Sequence, residues 1–317
     1  SPATVGHGVA TTITAVATAG YTFTGWTVVS GSASIATSSA LSTTATLTSG
    51  DAAVRANFTL NTYTLTYTAG ANGTLTGTTP QTVNHGGSGT QVTAVPNAGY
   101  HFVNWSDAST TNPRTDVNVT GNISVTATFA LNTYQLTVTS TTGGTITAPP
   151  LSPTTVNHGA ATAITAVATA GYTFTGWTVV SGSASIATAG ALSTTATLTS
   201  GDAAVRANFT LNTYTITASA VTNGTLTPTG VTTVNYGGSQ TYTITPAANY
   251  HIATLTVDGS LVTPVIPAGM SYPFTAVAAN HTISATFALD TYTITASAVT
   301  NGTLTPTGVT TVNYGGS

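Results

Sequence analysis

Hydrophobic and polar positions alternate along this chain with a period of two. Tyr63, Leu65 and Tyr67 fall on one side while Thr62, Thr64, Thr66 and Thr68 fall on the other, the pattern of a half-buried β-strand. The same face returns as Tyr134, Leu136 and Val138 and as Tyr214, Ile216 and Ala218. Threonine on the opposite face is β-branched and polar, so it favours extended backbone and tolerates water. Turns are expected at Asn72-Gly73, Gly143-Gly144, Asn223-Gly224 and Asn301-Gly302, because Gly and Asn accept positive φ. The opening strand and its successor are therefore expected to form a β-hairpin. No stretch carries a sustained 3.6-residue apolar stripe, so helix is expected to be absent or reduced to a turn.

A second strand leads into Gly20-Tyr21-Thr22-Phe23-Thr24-Gly25-Trp26, which recurs with variations at Gly99 to Trp105 and Gly171 to Trp177. Tyr21 and Phe23 share a face, but Trp26 is three residues further on. Either a bulge near Gly25 turns the indole inward or Trp26 lies on the second face; the bulge is favoured, because an exposed Trp leaves a large apolar area in water. The closing strand places Val54, Ala56, Phe58 and Leu60 on one face, matched by Val125, Ala127, Phe129 and Leu131. Parity flips between Leu60 and Tyr63, so the junction is expected to be a bend of about two residues, far shorter than a flexible linker.

That junction divides the chain. Phe58 to Tyr63 comes back at Phe129 to Tyr134, Phe209 to Tyr214 and Phe287 to Tyr292, with successive tyrosines 71, 80 and 78 residues apart. Tandem repetition organises everything else. The units are 1–60, without the opening strands; 61–131; 132–211; 212–289, the most divergent; and 290–317, opening strands alone. The expected fold is all-β, a tandem array of small β-grasp-like or sandwich-like modules forming an elongated rod. The expected core comprises Tyr21, Phe23, Trp26 and Phe58; Tyr100, Phe102, Trp105 and Phe129; Tyr172, Phe174, Trp177 and Phe209; and Tyr250, Leu255 and Phe287.

Composition narrows the function. Only 3% of the 317 residues are charged: three Arg, six Asp, and neither Lys nor Glu. Three scattered Arg cannot displace counterions from a phosphate backbone, which excludes nucleic acid as a partner. With 41% hydrophobic residues and regularly placed aromatics, the Thr/Ser/Gly content does not imply disorder. The chain has no Cys, hence no disulfide or thiolate metal site. It also has no apolar run of membrane-spanning length, so no membrane insertion is expected.

The repeats act as internal controls on chemistry. Trp26, Trp105, Trp177 and Leu255 occupy equivalent positions, and Leu can replace Trp in a core but not in a sugar-stacking platform. His7, His85 and His158 align with Tyr236 and Tyr314, an exchange that a metal ligand or general base does not survive. His101, His251 and His281 show no partner pattern. Asp51 with Arg55, Asp202 with Arg206 and Asp107 with Arg114 are expected to form local ion pairs of little net effect. Neither paired catalytic carboxylates, an acidic calcium loop nor a nucleophile elbow is present. No enzyme activity, metal or cofactor is expected.

Tyr134 to Val138, Gly144 to Thr147, Gly171 to Trp177 and Val205 to Phe209 together carry the order Tyr-x-Leu-Thr-Val, Gly-x-Ile-Thr, Gly-Tyr-x-Phe-x-x-Trp and Val-x-Ala-x-Phe. In this combination the chain resembles the internalin-type B-repeat and related divergent repeats of bacterial surface proteins. The resemblance implies a secreted or cell-surface protein whose modules act as spacers, adhesive stalks or fibres; Leu255 in the Trp position is the departure.

Two functions follow as expectations. The first is an extracellular structural stalk or fibre; the second is a surface adhesin or carbohydrate-binding module contacting glycans through exposed Tyr. For the stalk, Tyr292, Ile294, Leu304 and Val312 are expected to complete the first unit of another copy and give a head-to-tail polymer. The rival is that the 317 residues are a window of one longer continuous chain.

Overall fold

A computed structural model of the chain describes residues 3–220 and 222–316. The chain divides into two compact units, Ser1–Thr133 and Tyr134–Ser317. Among the described residues there is no helix: every regular element is a strand.

Within the second unit, residues 132–211 show the module in its fullest form. One sheet places four strands in the order Thr154–Asn157, Thr133–Ser140, Ala203–Leu211, Tyr172–Ser181. The other orders Gly144–Ala148, Ala161–Ala168, Ser193–Leu198 and Ala184–Ile186. Opening and closing strands run parallel, Leu136 opposite Ala203 and Val138 opposite Val205. The two sheets enclose one core, with Leu136, Val138, Trp177 and Val205 meeting Ile164, Ala166 and Leu198. Burial on alternate positions of each strand follows the apolar alternation, as the pleat requires.

The expected hairpin does not form. Thr133–Ser140 lies beside Thr154–Asn157, while Gly144–Ala148 crosses to the other sheet and pairs antiparallel with Ala161–Ala168. The turn residues are as expected, with positive φ at Asn72, Gly143, Asn223 and Asn301. A tight turn signal does not specify that its flanking strands share a sheet, and here each strand buries more apolar surface by joining a different layer.

Residues 212–289 repeat the plan. Thr213–Ala220 is parallel to His281–Leu289, and Gly224–Thr227, Gln240–Pro246 and Met270–Phe274 make the second sheet. Leu255 is fully buried in the tryptophan position, and the lost volume is recovered next to it: Tyr242 and Ile244 stand where the preceding module has Ile164 and Ala166. Such compensated swaps keep a core at packing density. Beyond them Thr291–Ala296 and Gly308–Asn313 form a two-stranded sheet on which Tyr292, Ile294 and Val309 are exposed.

In the first unit, residues 61–131 use the same parallel pair, Thr62–Ala69 beside Ile123–Leu131. Residues 106–122 take the place of the further strands, and Arg114 bridges to Val92. Residues 3–60 differ most. They form one three-stranded sheet, Ala10–Thr14, Ser42–Leu60 and Tyr21–Ile35 in that order.

The bulge before the tryptophan is present in the three Trp-bearing copies, as a register shift between Phe23 and Gly25, Phe102 and Asn104, and Phe174 and Gly176. Gly25 and Gly176 take φ of 138° and 132° there, values an L side chain rarely adopts. The shift brings Trp105 and Trp177 into the core and leaves Trp26 half-buried. Each indole N–H donates to a backbone carbonyl, of Ala40, Thr111 or Ala191, at 2.9–3.0 Å.

Two expected core residues are not in a core. Phe58 is 37% exposed while its counterpart Phe209 is 9% exposed, and Tyr21 is exposed as well. The cause is local: in residues 132–211 the ring of Phe209 lies against Gly144 of the crossing strand, and residues 3–60 place no such strand over Phe58. Phe209 and Leu255 are buried with Trp105 and Trp177, whereas Phe23, Tyr100, Phe102, Phe129, Tyr172, Phe174, Tyr250 and Phe287 are half-buried.

Candidate functional site

The most repeated polar arrangement lies at the junctions between modules. A single residue separates closing from opening strand, Asn61 between Ser42–Leu60 and Thr62–Ala69 and likewise Asn132, shorter than the two-residue bend expected. That residue is tied on both sides. The backbone N–H groups of Asn61, Asn132, Asn212 and Asp290 donate to the carbonyls of Gly20, Gly99, Gly171 and Asn249 at 2.8–2.9 Å. The carbonyls of Asn61, Asn212 and Asp290 accept from the N–H groups of His85, Tyr236 and Tyr314 at 2.8–2.9 Å.

The side chain adds a third tie. Asn61 Oδ1 accepts from the Thr22 hydroxyl and Asn212 Oδ1 from the Thr173 hydroxyl, each at 2.6 Å. His101 Nδ1 meets Asn132 Oδ1 at 2.8 Å, and His251 Nδ1 meets Asp290 Oδ1 at 3.1 Å. His101 and His251 therefore have a partner pattern after all: they stand where Thr22 and Thr173 stand, one residue after the Tyr of the aromatic motif. Aligning that motif with the junction residue about half a module later would have shown it in the sequence.

Rings close the junction. His85 covers Gly20 and Tyr236 covers Gly171, so closely that a Cβ on either glycine would collide with the ring. Each ring also meets the tyrosine that opens its own module, with centroids 5.9 Å apart for Tyr63 and His85 and 6.4 Å for Tyr214 and Tyr236. A flat ring laid on bare backbone is what the position requires, which explains why His and Tyr interchange there. His158 meets Tyr134 in the same way.

The ionisable groups do not assemble a reaction centre. Among the described residues no three His, Cys, Asp or Glu side chains converge as a metal site. Asp51 and Arg55 form no ion pair, nor do Asp202 and Arg206. Instead Asp202 accepts the backbone N–H of Gln135 at 2.8 Å, and Arg206 donates to Asn208 at 3.1 Å. The third expected pair exists and includes a second carboxylate. Arg114, only 7% exposed, reaches Asp107 and Asp116 at 2.7 Å each and lies 5.7 Å from the Trp105 ring.

This cluster shifts its members. The hydrogen bond from Arg114 holds Asp116 below the usual carboxylate range against the opposing effect of burial, helped by the Tyr67 hydroxyl at 2.7 Å. Partial desolvation opposes the same effect at Asp107, where the Arg114 hydrogen bond prevails. Burial, then the bond to Asp116, pushes the Tyr67 hydroxyl up. A buried pair completed by hydrogen bonds fixes one geometry, and here it fixes the loop that substitutes for strands. Asp116 was the member that sequence reading missed; its spacing of two from Arg114 on one face of an extended segment was the available signal.

Two surface clefts lie in residues 3–60. One, about 670 Å³, is lined by Ile13, Ala33, Leu47, Ala52 and Val54; the other, about 560 Å³, by Ala15, Tyr21, Phe23 and Leu41. In the larger cleft Ile13, Leu47, Ala52 and Val54 have the counterparts Ile164, Leu198, Ala203 and Val205, all buried. Tyr21 borders the smaller cleft and is exposed, whereas its counterpart Tyr172 lies against Gly143.

Comparison with known proteins agrees with this plan. The sequence model of the divergent InlB B-repeat domain matches four times in succession, over residues 1–62, 63–133, 134–213 and 214–291. Among curated proteins none matches the chain. No helix among the described residues is long and apolar enough to cross a membrane. Repeated modules, their one-residue junctions and the fourfold match place the chain in the divergent InlB B-repeat family.

Proposed function

We propose that this protein is an extracellular spacer, a stalk or fibre whose modules hold their neighbours at fixed angles. The observation that carries the proposal is the junction. One residue, held by two backbone bonds and a side-chain bond and flanked by a ring on glycine, recurs at Asn61 and Asn212. A free linker would leave those groups to water; here the N–H, the C=O and the side-chain Oδ1 of the junction residue each have a partner. Length then grows by nearest-neighbour contacts, as in other repeat proteins. The uncharged Thr, Ser and Asn surface and the membership of a B-repeat family support a place outside the cell.

The test is a distance distribution between two spin labels, one on the third module and one on the fourth, in a chain that has no cysteine of its own. The wild-type protein should give one narrow distribution. The double variant N212G/Y236A should broaden it while leaving each module folded. Equal, broad distributions in both proteins would refute the spacer.

A further inference from the structure

Three turns hold equivalent places in their modules but not equivalent residues. Residues 61–131 and 212–289 turn at Asn72-Gly73 and Asn223-Gly224, whereas residues 132–211 turn at Gly143-Gly144. Both asparagines are exposed and take φ of 69° and 78°. Their carbonyls accept the N–H groups of Asn97 and Ala247 at 3.0 Å. In a trans peptide the following N–H points the opposite way, so Gly73 and Gly224 aim theirs at the outer side of Gly73–Thr76 and Gly224–Thr227, each an edge strand of its sheet. Other asparagines differ on both counts. The side-chain amides of Asn57 and Asn208 donate to the carbonyls of Gly25 and Gly176, and those of Asn122 and Asn280 accept the backbone N–H groups of Thr64 and Thr215. All four precede a residue larger than Gly: Phe58, Phe209, Ile123 and His281.

We propose that Asn72 and Asn223 are sites of spontaneous deamidation, with water as the co-reactant, and that the turn of residues 132–211 is exempt. The Gly73 nitrogen gives up its proton to water and bonds to Asn72 Cγ, closing a five-membered succinimide, while the Cγ–Nδ2 bond breaks and Nδ2 leaves as ammonia. Water then opens the ring. Opening at Cγ leaves Asp; opening at the backbone carbonyl carbon leaves a β-linked Asp, with the chain running through the side chain and one methylene longer. Asn223 and Gly224 react in the same way. Glycine suits the step because it has no Cβ to obstruct the attacking nitrogen. Each event adds one negative charge to a chain whose formal net charge is -3. The longer product also reaches the core. Gly73 and Gly224 lie directly beneath the rings of Phe129 and Phe287, which pack against the buried clusters of their modules, and a close-packed interior transmits such a displacement. Gly144 lies beneath Phe209 in the same way, but Gly143 before it has no side-chain amide to lose. The modules of one molecule therefore age at different rates.

The test ages the full native chain at mildly alkaline pH beside a portion held in urea. Trypsin then cuts after Arg55, Arg114 and Arg206, and electron-transfer fragmentation of residues 56–114 and 207–317 distinguishes Asp from β-linked Asp at each position. In the native chain Asn72 and Asn223 should convert to both products while Asn57, Asn122, Asn208 and Asn280 persist. Asn301-Gly302 is the same dipeptide and is read separately within the second peptide. Isoelectric focusing should show one added negative charge per event, and this drift should vanish in the variant N72G/N223G/N301G, which carries the Gly-Gly turn of the third module. Amide exchange of the aged protein should quicken in Ile123–Leu131 and His281–Leu289 and stay unchanged in Ala203–Leu211. Conversion in urea but not in the native chain would overturn the proposal, because the folded turn would then hold Cγ away from the nitrogen. No conversion in either portion, or equal conversion at every Asn, would overturn it as well.

Discussion

Residues 14–60 and 165–211 are the same sequence but for Ser38 and Ser39 against Ala189 and Gly190, and they do not make the same structure. The later copy splits its strands between two sheets, with Tyr172–Ser181 and Ala184–Ile186 as separate elements; the earlier one runs the equivalent residues as the single strand Tyr21–Ile35 in one sheet. The strands that the later copy possesses, Thr133–Ser140 and Gly144–Ala148, come from outside the shared sequence. A module's core is therefore a property of its covering strands as much as of its own residues. The pattern of alternation tells a strand which face is apolar; what lies on that face is decided by tertiary pairing.

The comparison can be stressed most severely at the tryptophan. Trp177→Ala should cost about 3–5 kcal/mol, the usual range for emptying a packed aromatic site. Trp26→Ala, at a half-buried site, should cost about half as much or less. Denaturant unfolding of the two variants, followed module by module by hydrogen exchange, measures both. Equal losses would mean that residues 3–60 already possess a closed core.

Next comes the junction, where the two regions should behave alike. Gly20→Ala and Gly171→Ala each push a Cβ into a ring and place Ala at φ of 82° and 81°. Each should cost roughly 1–2 kcal/mol for the left-handed backbone alone. Similar broadening of label distances across both junctions would show that the clamp is independent of module completeness.

Acid supplies a probe that acts elsewhere. Asp107 and Asp116 have folded values below their ordinary 3.8, so the stability they contribute is fully present above that value and is lost as pH falls through the lower folded ones. Residues 61–131 should consequently loosen below about pH 4, as read by Trp105 fluorescence in a W26F/W177F background. Asp116→Asn should abolish most of that acid transition. The contrast between residues 3–60 and 132–211 should not change over the same range. The smallest effect is expected from S38A/S39G, which makes the shared stretches identical: a change within about 0.5 kcal/mol, as for other surface sites. If that exchange closed the gap in exposure between Phe58 and Phe209, sequence rather than covering would be its cause.

Much of this was legible in advance. Alternation gave the strands, the recurring Phe-to-Tyr stretch gave the repeat, and the odd spacing of Trp26 gave the bulge. The exchange of Trp for Leu255 identified a core position, although its compensation at Tyr242 and Ile244 became visible only with the sheets in place. Sheet partnership was not legible. The turn at Asn72-Gly73 reads as a hairpin, yet its strands part, because turn chemistry constrains four residues and layer choice depends on apolar contacts far along the chain. The junction was half legible. Its brevity followed from parity, but the ties from Thr22, His101, Thr173 and His251 join residues 31 or 39 apart, so they show only when the repeats are aligned and not in any local pattern. The buried Arg114 cluster was underrated for a related reason, since burial of an ion pair is set by the loop that encloses it.

Residues 40–60 and 191–211 are identical, so proteolysis after hydrogen–deuterium exchange yields one peptide reporting on two environments at once. That peptide should show two isotopic envelopes of equal area. The slow one comes from the covered copy and the fast one from the open copy. A single envelope throughout the time course would contradict the claim that covering strands, and not the module's own sequence, complete its core.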